Sequence, residues 1–150
     1  MEIREVPKLD TAAVRLTASS AELPQVIGDV CGEILAYFDK QGIQPAGHPV
    51  VVYHNLDMEA LDVEIGIPVS QPIARDGRID LSVLPGGSVL YTEHEGPYST
   101  MESTYQEILE YLMEVGHETE LWLYETYLSS PLDTPEDKLK IGICLPLSVS

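Results

Sequence analysis

The sequence predicts an α+β fold in which a β-α-β-β unit occurs twice, with one mainly antiparallel sheet and both helices packed on one face. The prediction has two grounds. Two segments have the apolar spacing of amphipathic helices, and each is preceded by one strand pattern and followed by two. Corresponding features lie about half of the 150-residue chain apart. We therefore expect one domain over 1–150, with related halves at 1–69 and 79–150, a connector at 70–80 and a pseudo-twofold axis.

Both predicted helices begin with a capping box, in which a serine and a glutamate three residues later satisfy each other's backbone amides. The two pairs are Ser19 with Glu22 and Ser99 with Glu102. Apolar residues then recur at helical spacing up to Gly42 in the first helix and Gly116 in the second. Glycine adopts the left-handed conformation that ends a helix, so these residues mark the two C-termini.

Six strand patterns complete the two units, and they cover 12–17, 49–54, 61–69, 88–95, 121–128 and 138–147. The sequence Ile65-Gly66-Ile67 returns as Ile141-Gly142-Ile143, 141 − 65 = 76 positions later. The connector contains an Asp76-Gly77 turn, and it is interpreted as a loop or an additional hairpin. A tight turn at Leu84-Pro85-Gly86-Gly87 leads into the second half.

The charge balance argues against several classes of partner. Eight lysines and arginines stand against 25 acidic residues, for a formal net charge of −17. Such a surface repels nucleic acid and anionic lipid, so we expect no direct nucleic-acid binding and no membrane association. No apolar run approaches the roughly 20 residues of a membrane span, and the N-terminus has no secretory signal pattern. We therefore expect a cytoplasmic protein.

The cysteines and histidines show no metal-binding pattern. Cys31 and Cys144 lie in apolar surroundings without a CxxC motif, and we interpret them as core residues, with a disulfide between them left open. The four histidines lack metal-ligand spacing, and in Glu93-His94-Glu95 a strand directs the histidine away from both glutamates. We expect neither a metal nor another cofactor.

The stretch WLYETYL, residues 122–128, resembles a buried strand with a carboxylate at its centre. Alternation along a strand places Leu123, Glu125 and Tyr127 on one face and Trp122 with Tyr124 on the other. A cleft around Glu125 that is lined by aromatic rings would favour a large cation with diffuse charge, which loses little hydration on binding. The aromatic residues that we expect to contribute are Tyr53, Tyr98, Trp122 and Tyr127.

An ordinary structural role for Glu125 is also consistent with this pattern. Its side chain would then lie on the solvated face of the sheet or pair with a basic residue on a neighbouring strand. The candidate basic partners are Arg4, Arg15 and Lys140. Tyrosines on the predicted helices are interpreted as core or rim residues, and these are Tyr37, Tyr105 and Tyr111.

Three motifs in a fixed order resemble one known family. They are Leu84-Pro85-Gly86-Gly87, His94-Glu95-Gly96-Pro97-Tyr98 and, after a helix that ends in glycine, Tyr124-Glu125-Thr126-Tyr127-Leu128-Ser129-Ser130-Pro131. This combination is similar to the GyrI-like small-molecule-binding domain, which is also the effector-binding part of certain AraC-type and MerR-type transcription regulators. The resemblance implies a cleft between two halves, in which the glutamate at position 125 contacts cationic aromatic ligands.

The resemblance implies three functions. The first is a stand-alone protein that binds lipophilic, aromatic and often cationic compounds, since we find no segment that resembles a helix-turn-helix. The second is a hydrolase of cyclopropane-containing DNA-alkylating natural products, with Glu125 as acid or base and Tyr127 polarising the substrate. The third is inhibition of DNA gyrase by direct contact with that enzyme. No nucleophile-base pair favours the hydrolase, so the binding protein is the preferred interpretation.

Overall fold

The protein is described by a computed structural model that covers residues 2–55, 57, 59–97, 100–116, 122–129 and 135–147. Eight antiparallel strands form one sheet, and two helices pack against it, which confirms the predicted α+β class. The strands are β1 (Glu2–Val6), β2 (Leu9–Ala18), β3 (Val50–Tyr53), β4 (Leu61–Pro68), β5 (Asp80–Leu84), β6 (Gly87–Glu95), β7 (Leu123–Tyr127) and β8 (Lys140–Pro146). The helices are α1 (Leu23–Gln41) and α2 (Met101–Val115).

Two of these strands, β1 and β5, are absent from the predicted pattern. They form the two edges of the sheet, whose order is β1-β6-β8-β7-β3-β4-β2-β5. Most of their side chains are exposed, because an edge strand has a partner on one side only. Little apolar alternation therefore remains to mark them in the sequence. The predicted Asp76-Gly77 turn is present just before β5, where Asp76 pairs with Ile79.

The edge strands pair with the half of the chain to which they do not belong. Strand β1 pairs with β6 of the second half, and β5 pairs with β2 of the first half. Between these edges, β2, β4 and β3 lie in the same relative order as β6, β8 and β7. This order is compatible with the predicted duplication, and a twofold relation between the halves stays a prediction.

The predicted Ser19–Glu22 pair forms before helix α1, but it does not cap the helix, because the N-cap position is Glu22 and has no side-chain capping bond. The Glu22 amide donates to Ser19 Oγ at 3.2 Å, and the Ser19 amide donates to Glu22 Oε1 at 3.4 Å. The regular helix begins directly after this turn, at Leu23, and ends at Gly42, whose φ of 70° is left-handed. Helix α2 ends in the same way at Gly116, with φ 72°. The serine of the second predicted capping box, Ser99, lies outside the described residues.

The core is divided by the sheet. The larger cluster lies between the sheet and the helices, and it includes apolar residues of both α1 and α2. A smaller cluster on the opposite face, here called the outer face, contains Leu84, Val89, Tyr124 and Cys144. Cys31 belongs to the larger cluster, so the sheet separates the two cysteines, and both are free. In the part of the chain that the structure describes, neither helix has the length and apolar character to cross a membrane.

Candidate functional site

A single carboxylate is buried at the centre of the sheet. Glu125 lies in the middle of β7, opposite Val51 of β3 and Ile143 of β8, and it is 3% exposed. Its strand neighbours Leu123 and Tyr127 belong to the cluster beneath the helices, whereas Tyr124 lies on the outer face. The alternation predicted for this strand is therefore confirmed, and Glu125 points toward the helices rather than toward solvent.

Three tyrosine hydroxyls donate hydrogen bonds to Glu125. Tyr53 of β3 donates to Oε1 at 2.7 Å, and Tyr105 of α2 donates to Oε2 at 2.5 Å. Tyr127, two residues further along β7, donates to Oε1 at 3.2 Å. Both carboxylate oxygens are thus satisfied by neutral donors from a neighbouring strand, a helix and the same strand. Hydrogen bonds to a carboxylate are among the stronger ones in proteins.

In the described part of the chain, no lysine or arginine pairs with this carboxylate, and His94 acts on it only through a weaker electrostatic interaction. Among the residues that the structure describes, none of the ion pairs includes Glu125. Arg15 instead pairs with Asp62 at 2.8 Å, and Arg4 pairs with Glu2 and stacks over the ring of Tyr91. The ordinary role considered above, a surface or salt-bridged glutamate, does not describe Glu125.

Burial and hydrogen bonding act on Glu125 in opposite directions. Burial raises the pKa of Glu125 above its ordinary value, since the charged form loses hydration. The hydrogen bonds from Tyr105, Tyr53 and Tyr127 act to lower that pKa, and the net direction is upward. Burial and the adjacent carboxylate raise the pKa of Tyr53 and of Tyr105, so both hydroxyls keep their protons and remain donors.

The structure brings some of the predicted residues together and separates others. Tyr53 and Tyr127 contact Glu125, whereas Trp122 stacks on Tyr124 at a centroid distance of 6.0 Å on the outer face. Trp122 is therefore remote from the Glu125 carboxylate, as strand alternation requires. Tyr98 lies outside the described residues.

Sequence reasoning missed Tyr105 as a partner of Glu125. It was interpreted as a core or rim residue, because helical spacing shows that it shares a face with Met101 and Ile108. That spacing places Tyr105 over the sheet, but it does not determine which strand lies beneath it. The contact depends on how α2 crosses the sheet, and a helix pattern contains no information about that crossing.

A cavity of about 380 Å³ reaches Tyr127 from beneath α1. Cys31 and Leu35 of α1 form one wall, and Ile67 of β4 forms part of another. This volume is within the usual range for pockets that bind small molecules, roughly 300–1,000 Å³. Tyr127 both lines the cavity and donates to Glu125, so it connects the cavity wall with the buried carboxylate.

Metal chemistry has no evident ligand set in this region. In the described ranges, no group of three or more histidine, cysteine or acidic side chains is arranged to hold a metal ion. His94 contacts the threonines of α2 instead, with Nδ1 2.7 Å from Thr104 Oγ1. The Glu125 carboxylate is instead surrounded by uncharged tyrosine hydroxyls that donate hydrogen bonds to it.

We expect Tyr105→Phe to raise the pKa of Glu125 further, because the substitution removes one of the hydrogen bonds that lower it. Loss of a hydrogen bond to a charged group should also destabilise the fold by about 1 to 3 kcal/mol at neutral pH. Infrared titration of the protonated carboxyl stretch measures the first effect, and denaturant unfolding measures the second. Tyr111→Phe on the same helix is the control, and an equal shift in that variant would contradict the assignment.

Several solved structures share this fold. The C-terminal domain of EcmrR superimposes with a TM-score of 0.84 at 17% identity, with 98% of this chain and 96% of that chain covered. In a complex of EcmrR with DNA the TM-score is 0.85 at 18% identity, and the matched region is 97% of this chain but 56% of the EcmrR chain. This chain thus spans little more than half of that regulator.

Two further structures are similar. SAV2435 bound to tetraphenylphosphonium has a TM-score of 0.64 at 12% identity, with 98% of this chain and 93% of that chain covered. A hydrolase encoded by lin2189 from Listeria innocua has a TM-score of 0.65 at 17% identity, with 98% and 91% covered. At these identities the similarity shows the fold alone.

Sequence comparison gives the family directly. No curated protein is a significant match to the chain. The sequence pattern that defines the GyrI-like small molecule binding domain, however, matches residues 1–148. That range includes every strand and helix described above, and the fold agrees with that of the EcmrR C-terminal domain. The chain belongs to the GyrI-like small molecule binding domain family.

Proposed function

We propose that this protein binds lipophilic aromatic cations, with Glu125 as the counter-charge. One observation supports this proposal most strongly: a carboxylate that is 3% exposed has three tyrosine donors and no ion-pair partner among the described residues. A buried carboxylate without a cation is held in an unfavourable state, which the raised pKa of Glu125 reflects. A cationic ligand would supply the missing partner.

The surroundings of Glu125 determine which cations would fit. A small, strongly hydrated ion would lose its water shell on entering the tyrosine cage, and three hydroxyls replace that shell poorly. A large cation with diffuse charge loses little hydration, and it gains both aromatic contact and Coulomb attraction in a poorly solvated site. The net charge of −17 further raises the local concentration of cations at the surface.

The ligand must displace a tyrosine to reach the carboxylate. Tyr105 donates to Oε2 from the helix side, and Tyr127 donates to Oε1 and also lines the cavity of about 380 Å³. Binding would therefore exchange tyrosine hydrogen bonds for contact with a cation. The exchange is favourable where the ligand buries enough apolar surface to offset the lost hydrogen bonds.

One structural neighbour supports the proposal by analogy. SAV2435 binds tetraphenylphosphonium, a lipophilic aromatic cation, and shares the fold at a TM-score of 0.64. EcmrR shares the fold more closely, and there the domain forms the C-terminal part of a protein solved in complex with DNA. For this chain, we propose capture of the ligand in the cytoplasm without direct contact to DNA, since the acidic surface opposes such contact.

Tetraphenylphosphonium and tetraphenylborate provide a direct test, because the two ions have nearly the same shape and opposite charge. We expect saturable binding of the phosphonium in the micromolar range by calorimetry and at least tenfold weaker binding of the borate. Equal affinity for the two ions would show that apolar contact alone drives binding. Absence of phosphonium binding would contradict the proposal.

A hydrolytic function is the second candidate, because a Listeria innocua hydrolase shares the fold. In that mechanism Glu125 would act on water, with Tyr127 polarising the substrate. Both oxygens of Glu125 accept tyrosine hydrogen bonds in a buried position, which favours binding over water activation. Multiple turnovers of an electrophilic cyclopropane substrate would establish hydrolysis. Inhibition of DNA gyrase rests on the family resemblance alone.

A further inference from the structure

A second pocket lies on the outer face of the sheet, remote from Glu125. Its volume is about 230 Å³. Trp122 and Val52 form an apolar side, and the polar side contains His54, Glu64 and Ser82. A cavity of about 150 Å³ already accepts a benzene ring in another protein, so this pocket has room for a ligand with one ring.

The polar side of this pocket is organised around Glu64 of β4. His54 Nε2 lies 2.7 Å from Glu64 Oε1, and Ser82 Oγ donates to Oε2 at 2.6 Å. These contacts hold a side chain that is only 17% exposed in one orientation. Each carboxylate oxygen has two acceptor positions, so one position on each oxygen is still available to a ligand after these bonds.

The arginine nearest to Glu64 is held by a different partner. Arg15 Nη1 is 3.9 Å from Glu64 Oε1, but its Nε and Nη2 atoms donate to Asp62 at 3.0 and 2.8 Å. A bidentate pair of this kind satisfies the guanidinium and largely neutralises it. Glu64 is thus contacted by His54 rather than by an arginine, and its carboxylate lines the same pocket as the Trp122 indole.

A carboxylate and an indole that line the same small pocket form a recognition pattern for flat cations. Tryptophan provides the most favourable aromatic face for a cation, and a carboxylate that accepts two parallel N–H bonds selects a planar donor group. We propose that the outer-face pocket binds a small planar aromatic cation with an amidinium-type or protonated amine group. The ring would lie against Trp122, and the N–H groups would donate to Glu64.

This site is independent of the one at Glu125. Glu64 and Trp122 lie on the outer face, while Glu125, Tyr53 and Tyr105 lie beneath the helices. The two pockets also differ in size, at about 230 and 380 Å³. A ligand the size of tetraphenylphosphonium is too large for the outer-face pocket, so failure of either proposal leaves the other standing.

The sequence contains one tryptophan, so intrinsic tryptophan fluorescence reports on the outer-face pocket alone. Benzamidinium is the probe, and benzamide is the neutral control of matched shape. We expect a saturable change in Trp122 fluorescence with benzamidinium and at least tenfold weaker binding of benzamide. Glu64→Gln should weaken benzamidinium binding about tenfold, whereas Glu125→Gln should leave it within twofold.

A second variant protects the test against misfolding of Glu64→Gln. Val52 is half-buried at the pocket wall, and Val52→Phe fills the space without changing charge. We expect this variant to keep its circular dichroism spectrum and to lose benzamidinium binding. A linear, non-saturable fluorescence response would overturn the proposal. The same would follow from binding that survives both Glu64→Gln and Val52→Phe, or from loss of binding in Glu125→Gln.

Discussion

Glu125→Gln is expected to weaken the binding of tetraphenylphosphonium at least tenfold, or by about 1.4 kcal/mol. The substitution keeps the size of the side chain and removes the charge. The glutamine oxygen can still accept from one of Tyr53 and Tyr105, whereas the amide NH2 would donate to the other hydroxyl. Glu107→Gln, at an exposed position of α2, makes the same change in net charge and is the matched control. Calorimetry on both variants distinguishes the effect of the Glu125 carboxylate on binding from the effect of the protein's overall negative charge.

The same interaction makes a prediction about pH. Because the pKa of Glu125 is raised above its ordinary value of 4.5, its carboxylate protonates before exposed glutamates do. Cation affinity should therefore fall as the pH decreases through this raised pKa, and Glu125→Gln should show no such fall. An affinity of the wild-type protein that stays constant down to about pH 4 would contradict the role of Glu125.

Linkage gives an independent check that Glu125→Gln remains folded. A carboxyl with a raised pKa binds more protons in the folded state than in the unfolded state between the two pKa values. Its contribution to stability is thus fully present below the ordinary pKa and is lost as the pH rises through the raised one. Relative to wild type, Glu125→Gln should become more stable as the pH rises toward 8, which denaturant unfolding measures.

Gly86→Ala is expected to produce the largest change in stability, a destabilisation of about 1 to 3 kcal/mol or more. The turn between β5 and β6 crosses the connection between β1 and β2 at this residue. A Cβ atom on Gly86 would lie 2.7 Å from the Lys8 amide nitrogen and 2.8 Å from the Val6 carbonyl oxygen. Backbone atoms of a paired strand cannot move aside as a flexible side chain does, so the turn itself must shift.

Gly32→Ala in α1 is the matched control for this prediction. A Cβ atom on Gly32 meets nothing within 4 Å, and alanine favours the helix over glycine by about 1 kcal/mol. The same chemical change should therefore stabilise the protein at Gly32 and destabilise it at Gly86. Chemical denaturation measures the free energy of unfolding of both variants. Destabilisation of equal size at both positions would contradict the steric explanation.

Local patterns were sufficient to predict the helices and the six inner strands. Glycine at the helix ends and apolar alternation act within a few residues of each position, so the sequence alone contains that information. The edge strands β1 and β5 were missed because their side chains are largely exposed and their pairing partners lie far away in the chain. Alternation placed Trp122 on the face opposite Glu125, so the expectation that Trp122 contributes to the aromatic lining around Glu125 was wrong.

The candidate site was predictable in part for the same physical reason. A glutamate between apolar neighbours on a strand must either have a partner or carry a function, and this identified Glu125 without any structure. Its contacts with Tyr53 and Tyr105 depend on which strand lies next to β7 and on how α2 crosses the sheet. Both features arise from long-range packing, which periodicity along one segment does not encode.

Each edge strand pairs with a strand of the other half of the chain, and this affects the order in which the sheet can form during synthesis. Glu2 of β1 pairs with Tyr91, 91 − 2 = 89 positions later, so the first strand leaves the ribosome long before its partner exists. Until β5 is synthesised, the outer edge of β2 also remains open to pairing with other chains. Such delayed, non-local pairing slows folding and extends the period in which a nascent chain is prone to aggregate. Both edges of the sheet are therefore completed only after the chain has been synthesised as far as β6.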